Sequence, residues 1–257
     1  MNEFTHDTAP TQYAEGGGIR FDNAGVASSS GTVPGTIEAM ARDAITFIDA
    51  LGLTTIDVVG HSMGGLVAQE VALARPDLVR RLVLAGTGPR GGEGIGALPA
   101  WVAELFTWKY ERQEDMWLPI LFAPTPSSQA AGRAYVERIL TRADRDTPVS
   151  GQSIAAQSAA LAAYGAAKDP SYAHLKGLGL PVLVVNGTDD IVIPTINSYI
   201  LQQFLPNAEL ILYPDANHGS HFQYPGLFAR HTRMFLDEQS LHDGDLMVTG
   251  GQTNRSA

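Results

Sequence analysis

The chain has 257 residues, of which 44% are apolar, so it can form one large α/β domain or a domain that carries an insertion. It contains no cysteine, which excludes disulfides, thiolate metal sites and a cysteine nucleophile. Its formal net charge is −10 and its lysines and arginines are scattered, which argues against nucleic acid and anionic membranes as partners.

The two ends of the chain bear on localisation and order. Residues 1–15 are polar and lack the basic start and apolar stretch of a signal peptide, so a cytoplasmic protein is expected. No run of roughly 18 apolar residues occurs that could cross a membrane. Residues 240–257 are polar and rich in glycine, and we expect them to form a flexible tail.

The first 85 residues alternate between candidate strands and helices. Residues 1–18 are expected to be a weakly structured lead-in. The elements that follow are predicted from apolar spacing and from helix stop signals such as Gly52 and Pro76. They are strands at 19–22, 56–59 and 81–85 and helices at 36–51 and 63–75. This alternation predicts a parallel sheet with helices on both faces.

The pattern changes between residues 86 and 172, where glycine and proline interrupt helical stretches. All three tryptophans, Trp101, Trp108 and Trp117, lie in this region. We interpret it as a helical cap inserted into the sheet domain, and its aromatic side chains as candidate substrate contacts in an apolar pocket. The sheet pattern resumes over residues 173–239. The elements predicted there are strands at 181–186 and 209–213 and helices at 195–204 and 225–237.

A candidate nucleophile lies in residues 60–65, which read GHSMGG, between a predicted strand and a predicted helix. A G-x-S-x-G sequence gains its meaning from that context, because a strained turn there lifts the serine hydroxyl above the carboxyl edge of the sheet. The helix N-terminus also directs N–H groups at the same place, which favours developing negative charge. Ser62 is therefore the candidate nucleophile, and the alternative is a glycine-rich turn without a reaction.

A serine hydroxyl needs a base that accepts its proton, and His218 is the preferred candidate. It follows the last predicted strand, so its loop lies at the same edge of the sheet as Ser62. His221 is the nearby alternative. His61 is adjacent to the serine but is expected to point away from it.

The base needs an acid that fixes its tautomer and stabilises its charged form. Asp189 and Asp190 both follow the predicted strand 181–186, and we prefer Asp190 on turn geometry and spacing. The alternative for the pair is a solvated turn. The chain order is then Ser62, Asp190, His218, which differs from the orders of chymotrypsin and subtilisin.

From Phe21 to about Glu238 the chain resembles the α/β-hydrolases, in particular small bacterial esterases and cofactor-free haloperoxidase-like hydrolases. The resemblance rests on the segments FDNAGVASS, GHSMGG, GTDDIVIP and NHG, at 21–29, 60–65, 187–194 and 217–219. It implies a doubly wound, mostly parallel sheet with an inserted helical cap. It also implies a serine hydrolase that acts on a small ester or related carbonyl substrate through an acyl-enzyme, without a metal or organic cofactor.

The N-terminal part departs from the family pattern. In the family, an antiparallel strand pair, a strand ending in His-Gly and a helix precede the equivalent of strand 19–22. These elements need roughly forty residues or more, but only residues 1–20 precede Phe21, so we infer an internal deletion. The oxyanion hole would keep the Met63 N–H and lose the donor from the His-Gly loop, unless residues 23–25 supply a substitute.

The inferred deletion allows two arrangements of the sheet, and it allows functions other than ester hydrolysis. Either strand 19–22 pairs with strand 56–59, or the sheet edge stays open, which invites self-association. The missing donor favours a degenerate, non-catalytic fold that binds a small molecule or partner. A haloperoxidase or perhydrolase reaction at the same three residues is a further alternative.

Overall fold

Four parallel strands in the order β3-β4-β5-β6 form the sheet that positions the site. The computed structural model describes residues 18–141 and 148–237, together with the backbone of 11–14. The strands are Ile56–His61 (β3), Val79–Ala85 (β4), Val182–Gly187 (β5) and Ala208–Tyr213 (β6). The two central strands are rich in valine and leucine and, apart from Arg80, are buried, as expected for strands covered on both faces.

Helices cover both faces of this sheet, as the sequence predicts. The core helices are Ile37–Ala50 (α1), Met63–Ala74 (α2), Ile196–Phe204 (α7), Ser220–Gln223 (α8) and Pro225–Asp237 (α9). Leu82, Leu84 and Val184 pack with α1, α2 and α7. The alternate positions, such as Val83 and Val185, point to the other face and pack with α9. This alternation follows from the two-residue period of a strand.

All nine strands and helices predicted outside the insertion are confirmed, with shifts of at most two residues at their ends. Helix α1 begins one residue after Thr36, because the Thr36 hydroxyl accepts a hydrogen bond from the Ala39 N–H and caps the helix. Helix α2 ends at Ala74, two residues before Pro76. Strands β3 and β4 are longer than predicted, by two residues each.

The segment between β4 and β5 is helical. Its α-helices are Ala100–Thr107 (α3), Trp117–Leu121 (α4), Pro126–Leu140 (α5) and Gly151–Ala166 (α6), with a 3₁₀ turn at Gln113–Met116. A second 3₁₀ turn, Ala173–Gly177, precedes β5. The position of these helices agrees with an insertion. The division of the chain at 85/86 and 172/173 stays a prediction.

The N-terminal strands form a separate sheet. Thr11–Ala14 (β1) pairs antiparallel with Gly18–Phe21 (β2), so part of the lead-in that was expected to be weakly structured, residues 11–14, forms a strand. Strand β2 does not pair with β3, because its Phe21 ring stacks on Phe47 of α1 with 4.3 Å between centroids. Within the described residues, β3 is therefore an edge strand.

Two further expectations concern the ends of the chain and membranes. The predicted flexible tail, residues 240–257, lies outside the described residues. Across the described ranges, the helices are too short or too polar to cross a membrane.

Candidate active site

Ser62 occupies a strained turn between β3 and α2. Its backbone has φ of 56° and ψ of −126°, a region that residues other than glycine rarely adopt. Gly60 permits the turn, because a Cβ there would collide with the carbonyl of Gly64. Two hydrogen bonds from the end of β4 hold Ser62 in place: its N–H donates to the Ala85 carbonyl at 3.0 Å, and its carbonyl accepts from the Thr87 hydroxyl at 2.9 Å.

The structure brings Ser62, His218 and Asp190 into one line of hydrogen bonds. The Nε2 atom of His218 lies 2.9 Å from the Ser62 Oγ, and its Nδ1 atom lies 2.9 Å from Asp190 Oδ2. The side chains of His218 and Asp190 are buried. Because a carboxylate only accepts, Nδ1 carries the proton and Nε2 is left to accept from the serine hydroxyl.

The backbone around Asp190 fixes its carboxylate. Asp190 Oδ1 accepts from the N–H groups of Val192 and Ile193, both at 2.9 Å, which leaves Oδ2 for His218. Asp189 is exposed and bonds to the neighbouring Thr188 hydroxyl. The preference for Asp190 over Asp189 therefore agrees with the geometry.

The other two candidate histidines, His61 and His221, lie close to the proposed base. The His61 ring packs on His218 with 4.7 Å between centroids, and its Nε2 donates to the His218 carbonyl at 3.0 Å. His61 makes no hydrogen bond to Ser62 within the described residues, so the expectation that it points away from the serine stays a prediction. The His221 ring packs on His61 with 4.3 Å between centroids and makes no hydrogen bond to Ser62 or Asp190. Burial lowers the pKa of His61 well below its usual value and that of His221 to about 4, so both are neutral near pH 7.

Asn217 holds the loop that carries His218, a role that was not predicted from the sequence. The Asn217 Oδ1 atom accepts from the N–H groups of His218 and Ile191, at 2.8 and 2.9 Å. Its amide nitrogen donates to the Pro119 carbonyl at 3.2 Å. Asn217 thus ties the loop of the proposed base to the loop of the proposed acid and to the inserted segment. The position of Asn217 directly before His218 is the feature of the sequence that could have indicated this role.

A cavity of about 560 Å³ opens onto Ser62 and His218. The loop after β4, helices α3, α4 and α6, and the loop after β5 form its walls, mainly with apolar side chains. Trp117 lines this cavity, as expected for a substrate contact.

Trp101 and Trp108 do not line the cavity, and their exposed fractions are 56% and 66%. Ala103, Phe106 and Thr107 form the inward face of α3, so Trp101 lies on another face of that helix. Trp108 follows the end of α3 with an extended backbone, which carries it away from that face. The prediction of substrate contacts is wrong for these two tryptophans.

The Met63 N–H, near Ser62, is the candidate donor to an oxyanion, and this role stays a prediction. Met63 lines the cavity and is the first residue of α2, where a helix leaves N–H groups without intrahelical acceptors. Residues 23–25 do not line the cavity, and the Gly25 N–H donates to the Ser30 carbonyl at 3.0 Å. The hypothesis of a substitute donor from these residues is therefore wrong.

Comparison with known proteins gives relatives over most of the chain. The family model for the alpha/beta hydrolase fold matches residues 18–225. A solved alpha/beta hydrolase fold protein from Chitinophaga pinensis is 40% identical, with a TM-score of 0.79, over 86% of this chain and 79% of that one. The 2-hydroxymuconate semialdehyde hydrolase of Pseudomonas putida is 31% identical, over 77% of this chain and 69% of its own.

A RutD protein of Agrobacterium fabrum, whose name provisionally assigns it carbamate hydrolysis, is 29% identical over 85% of this chain and 82% of its own. The match to the family model covers well over half of the chain, and the relatives share the hydrolase designation. The predicted fold class is confirmed, and the chain belongs to the α/β-hydrolase fold family.

Proposed function

We propose that this protein is a serine hydrolase that cleaves a small ester or related carbonyl compound with Ser62, His218 and Asp190. The observation that carries the proposal is the line of two 2.9 Å hydrogen bonds that ends at the Ser62 hydroxyl in the cavity. Relatives named as hydrolases support hydrolysis as the class of reaction. Their names denote different substrates, so they do not favour a particular one.

The arrangement accounts for each step of acyl transfer. The Ser62 oxygen attacks the carbonyl carbon while His218 Nε2 takes its proton, and Asp190 stabilises the resulting imidazolium. The Met63 N–H at the start of α2 donates to the oxyanion. His218 then protonates the leaving group, and a water molecule activated by the same histidine releases the acid from Ser62.

A second candidate is a non-catalytic protein that binds a small molecule in the same cavity. It is favoured by the failure of residues 23–25 to supply a second oxyanion donor. Loss of one such donor typically lowers kcat by ~10²–10³. A triad with one oxyanion donor still gives a rate above that of the uncatalysed reaction. We therefore favour a slow hydrolase over a protein that only binds.

The test compares wild type, Ser62→Ala and Ser30→Ala with p-nitrophenyl butyrate. Ser30 is exposed and outside the cavity, so its variant is the matched control. We expect a burst of nitrophenol in wild type and Ser30→Ala, and a rate lower by at least ~10³ without a burst in Ser62→Ala. Equal rates in folded wild type and Ser62→Ala would overturn the hydrolase. Saturable binding without turnover would then support the second candidate.

A further inference from the structure

Some polar side chains of the cavity wall already form hydrogen bonds within the protein, whereas one does not. The Ser158 hydroxyl donates to the Ile154 carbonyl at 2.8 Å, and the Thr107 hydroxyl donates to the Glu104 carbonyl at 3.2 Å, both within their own helices. The side-chain amide of Gln157, which lines the cavity from α6, forms no hydrogen bond with the described part of the chain. An amide can donate to or accept from an uncharged polar group of a ligand.

The remainder of the cavity wall is mainly apolar and carries no cationic side chain near Ser62, because His61 is neutral. Leu98, Phe106, Ile154 and Leu161 are among the side chains that face the space above Ser62. Among the described residues that line the cavity, none is a lysine or an arginine. His61, which also lines it, does not supply a positive charge near pH 7, because burial lowers its pKa well below the usual value.

A carboxylate on a substrate would therefore lose its hydration without gaining a charged partner. The free energy cost of such a transfer is several times that of burying a neutral group, because an ion in an apolar site keeps little of its solvation. The protein's net charge of −10 adds a long-range repulsion, which salt screens.

We propose that this cavity selects esters with an uncharged, mainly apolar acyl chain and rejects those that carry a terminal carboxylate, with Gln157 as a specificity-determining residue. The proposal rests on the proposed hydrolase function and deepens it by naming the substrate class. Gln157 pairs with an uncharged polar group of the substrate, such as a hydroxyl or a second ester carbonyl.

The first experiment compares three esters of matched length: p-nitrophenyl hexanoate, mono-p-nitrophenyl adipate and its methyl ester. The last two differ only in whether the distal carboxyl group is ionised or capped. We expect kcat/KM for both uncharged esters to exceed that for the hemi-ester by at least ~100-fold, at low salt and at 1 M NaCl (about 3 Å Debye length). Equal values, or a difference that disappears in high salt, would overturn the proposal.

The second experiment places a cation in the cavity wall. Gln157→Arg should raise kcat/KM for the hemi-ester, relative to the hexanoate, by ~10-fold or more. Gln152→Arg is the matched control, because Gln152 is exposed on the same helix and does not line the cavity while adding the same charge. Ser158→Arg gives a second test should Gln157→Arg fold poorly. No gain in either cavity variant, or an equal gain in Gln152→Arg, would contradict the proposal.

Calorimetry on Ser62→Ala separates this proposal from the proposed function. Tighter binding of the hexanoate than of the hemi-ester to this variant would support the selectivity even if wild type failed to hydrolyse either ester. Equal binding would overturn the selectivity even if wild type were an active hydrolase.

Discussion

The hydrogen bond from His61 to the carbonyl of His218 supports the proposed base through its backbone. His61 is the last residue of β3 and directly precedes Ser62, whereas His218 lies 157 residues later in the chain. The bond therefore ties the loop that carries the base to the turn that carries the nucleophile. Among the described residues, the Ser62 hydroxyl bonds to His218 and not to His61, so we regard His61 as a positioning residue.

His61→Phe removes this donor and leaves the buried His218 carbonyl unpaired. We expect kcat to fall by ~10- to 100-fold with little change in KM, because a small displacement of the base affects the transition state more than binding. His231→Phe on α9 is the control for loss of a histidine. Single-turnover kinetics across a pH series would measure the change. A lower kcat with an unchanged pH profile of the remaining activity fits positioning, whereas unaltered kinetics would contradict it.

At the scale of residues, chain order and the carboxyl edge of the sheet were sufficient to predict Ser62, Asp190 and His218 as neighbours. They were insufficient for the contact of His61 with the His218 carbonyl, because that contact joins segments 157 residues apart in the chain. They were also insufficient for Trp101, because the inward face of α3 depends on the rotation of that helix, which composition does not determine.

At the scale of elements, strand β3 pairs with β4 on one side only within the described residues. The side chain of Val59 in this strand has an exposed fraction of 52%. An edge strand offers unpaired N–H and carbonyl groups together with apolar side chains, and such edges favour association between chains. Self-association through β3, which the sequence analysis expects if the sheet edge stays open, remains a prediction.

Val59→Lys should weaken this association, because a lysine at the edge places a charge where a second strand would pair. We expect wild type to show a rise in weight-average mass with concentration in sedimentation equilibrium, and the variant to stay closer to the monomer mass. Leu212→Lys is the matched control, since Leu212 is exposed on β6 at the opposite edge. An equal effect of both variants, or a monomeric wild type at all concentrations, would contradict association through β3.

The helices and parallel strands were predictable because burial imposes a regular spacing of apolar residues along each element. The pairing partner of β2 was not predictable, because strand pairing depends on contacts between distant segments. Here the stacking of Phe21 on Phe47 holds β2 over α1 instead of beside β3.

At the scale of the whole molecule, buried neutral histidines link stability to pH. Burial is the main cause that lowers the pKa of His221 to about 4, and the charge of His218 lowers it further. The unfolded chain takes up a proton near pH 6.5, whereas the folded chain does so only near pH 4. The unfolded state therefore binds more protons in this window, and stability is lost as the pH falls from 6.5 towards 4.

The loss attributable to His221 is on the order of 3 kcal/mol in the free energy of unfolding. His221→Phe should remove this share, so its stability should fall less steeply than that of wild type between pH 6.5 and 4. Urea unfolding at a series of pH values measures both curves. A slope that is the same in the two proteins would contradict the assignment.

The inserted segment and the loop of the proposed base are joined at several points. The hydroxyls of Thr125 and Ser127, at the start of α5, donate to the two carboxylate oxygens of Asp215 at 2.6 and 2.5 Å. The Leu121 carbonyl at the end of α4 accepts from the Gly219 N–H at 2.8 Å. A chimaera that exchanges the whole insertion with that of a relative would therefore also exchange the scaffold of His218. We expect a graft of α3 alone, with the α4–α5 corner retained, to leave the proton-transfer geometry undisturbed, because these contacts come from the α4–α5 corner.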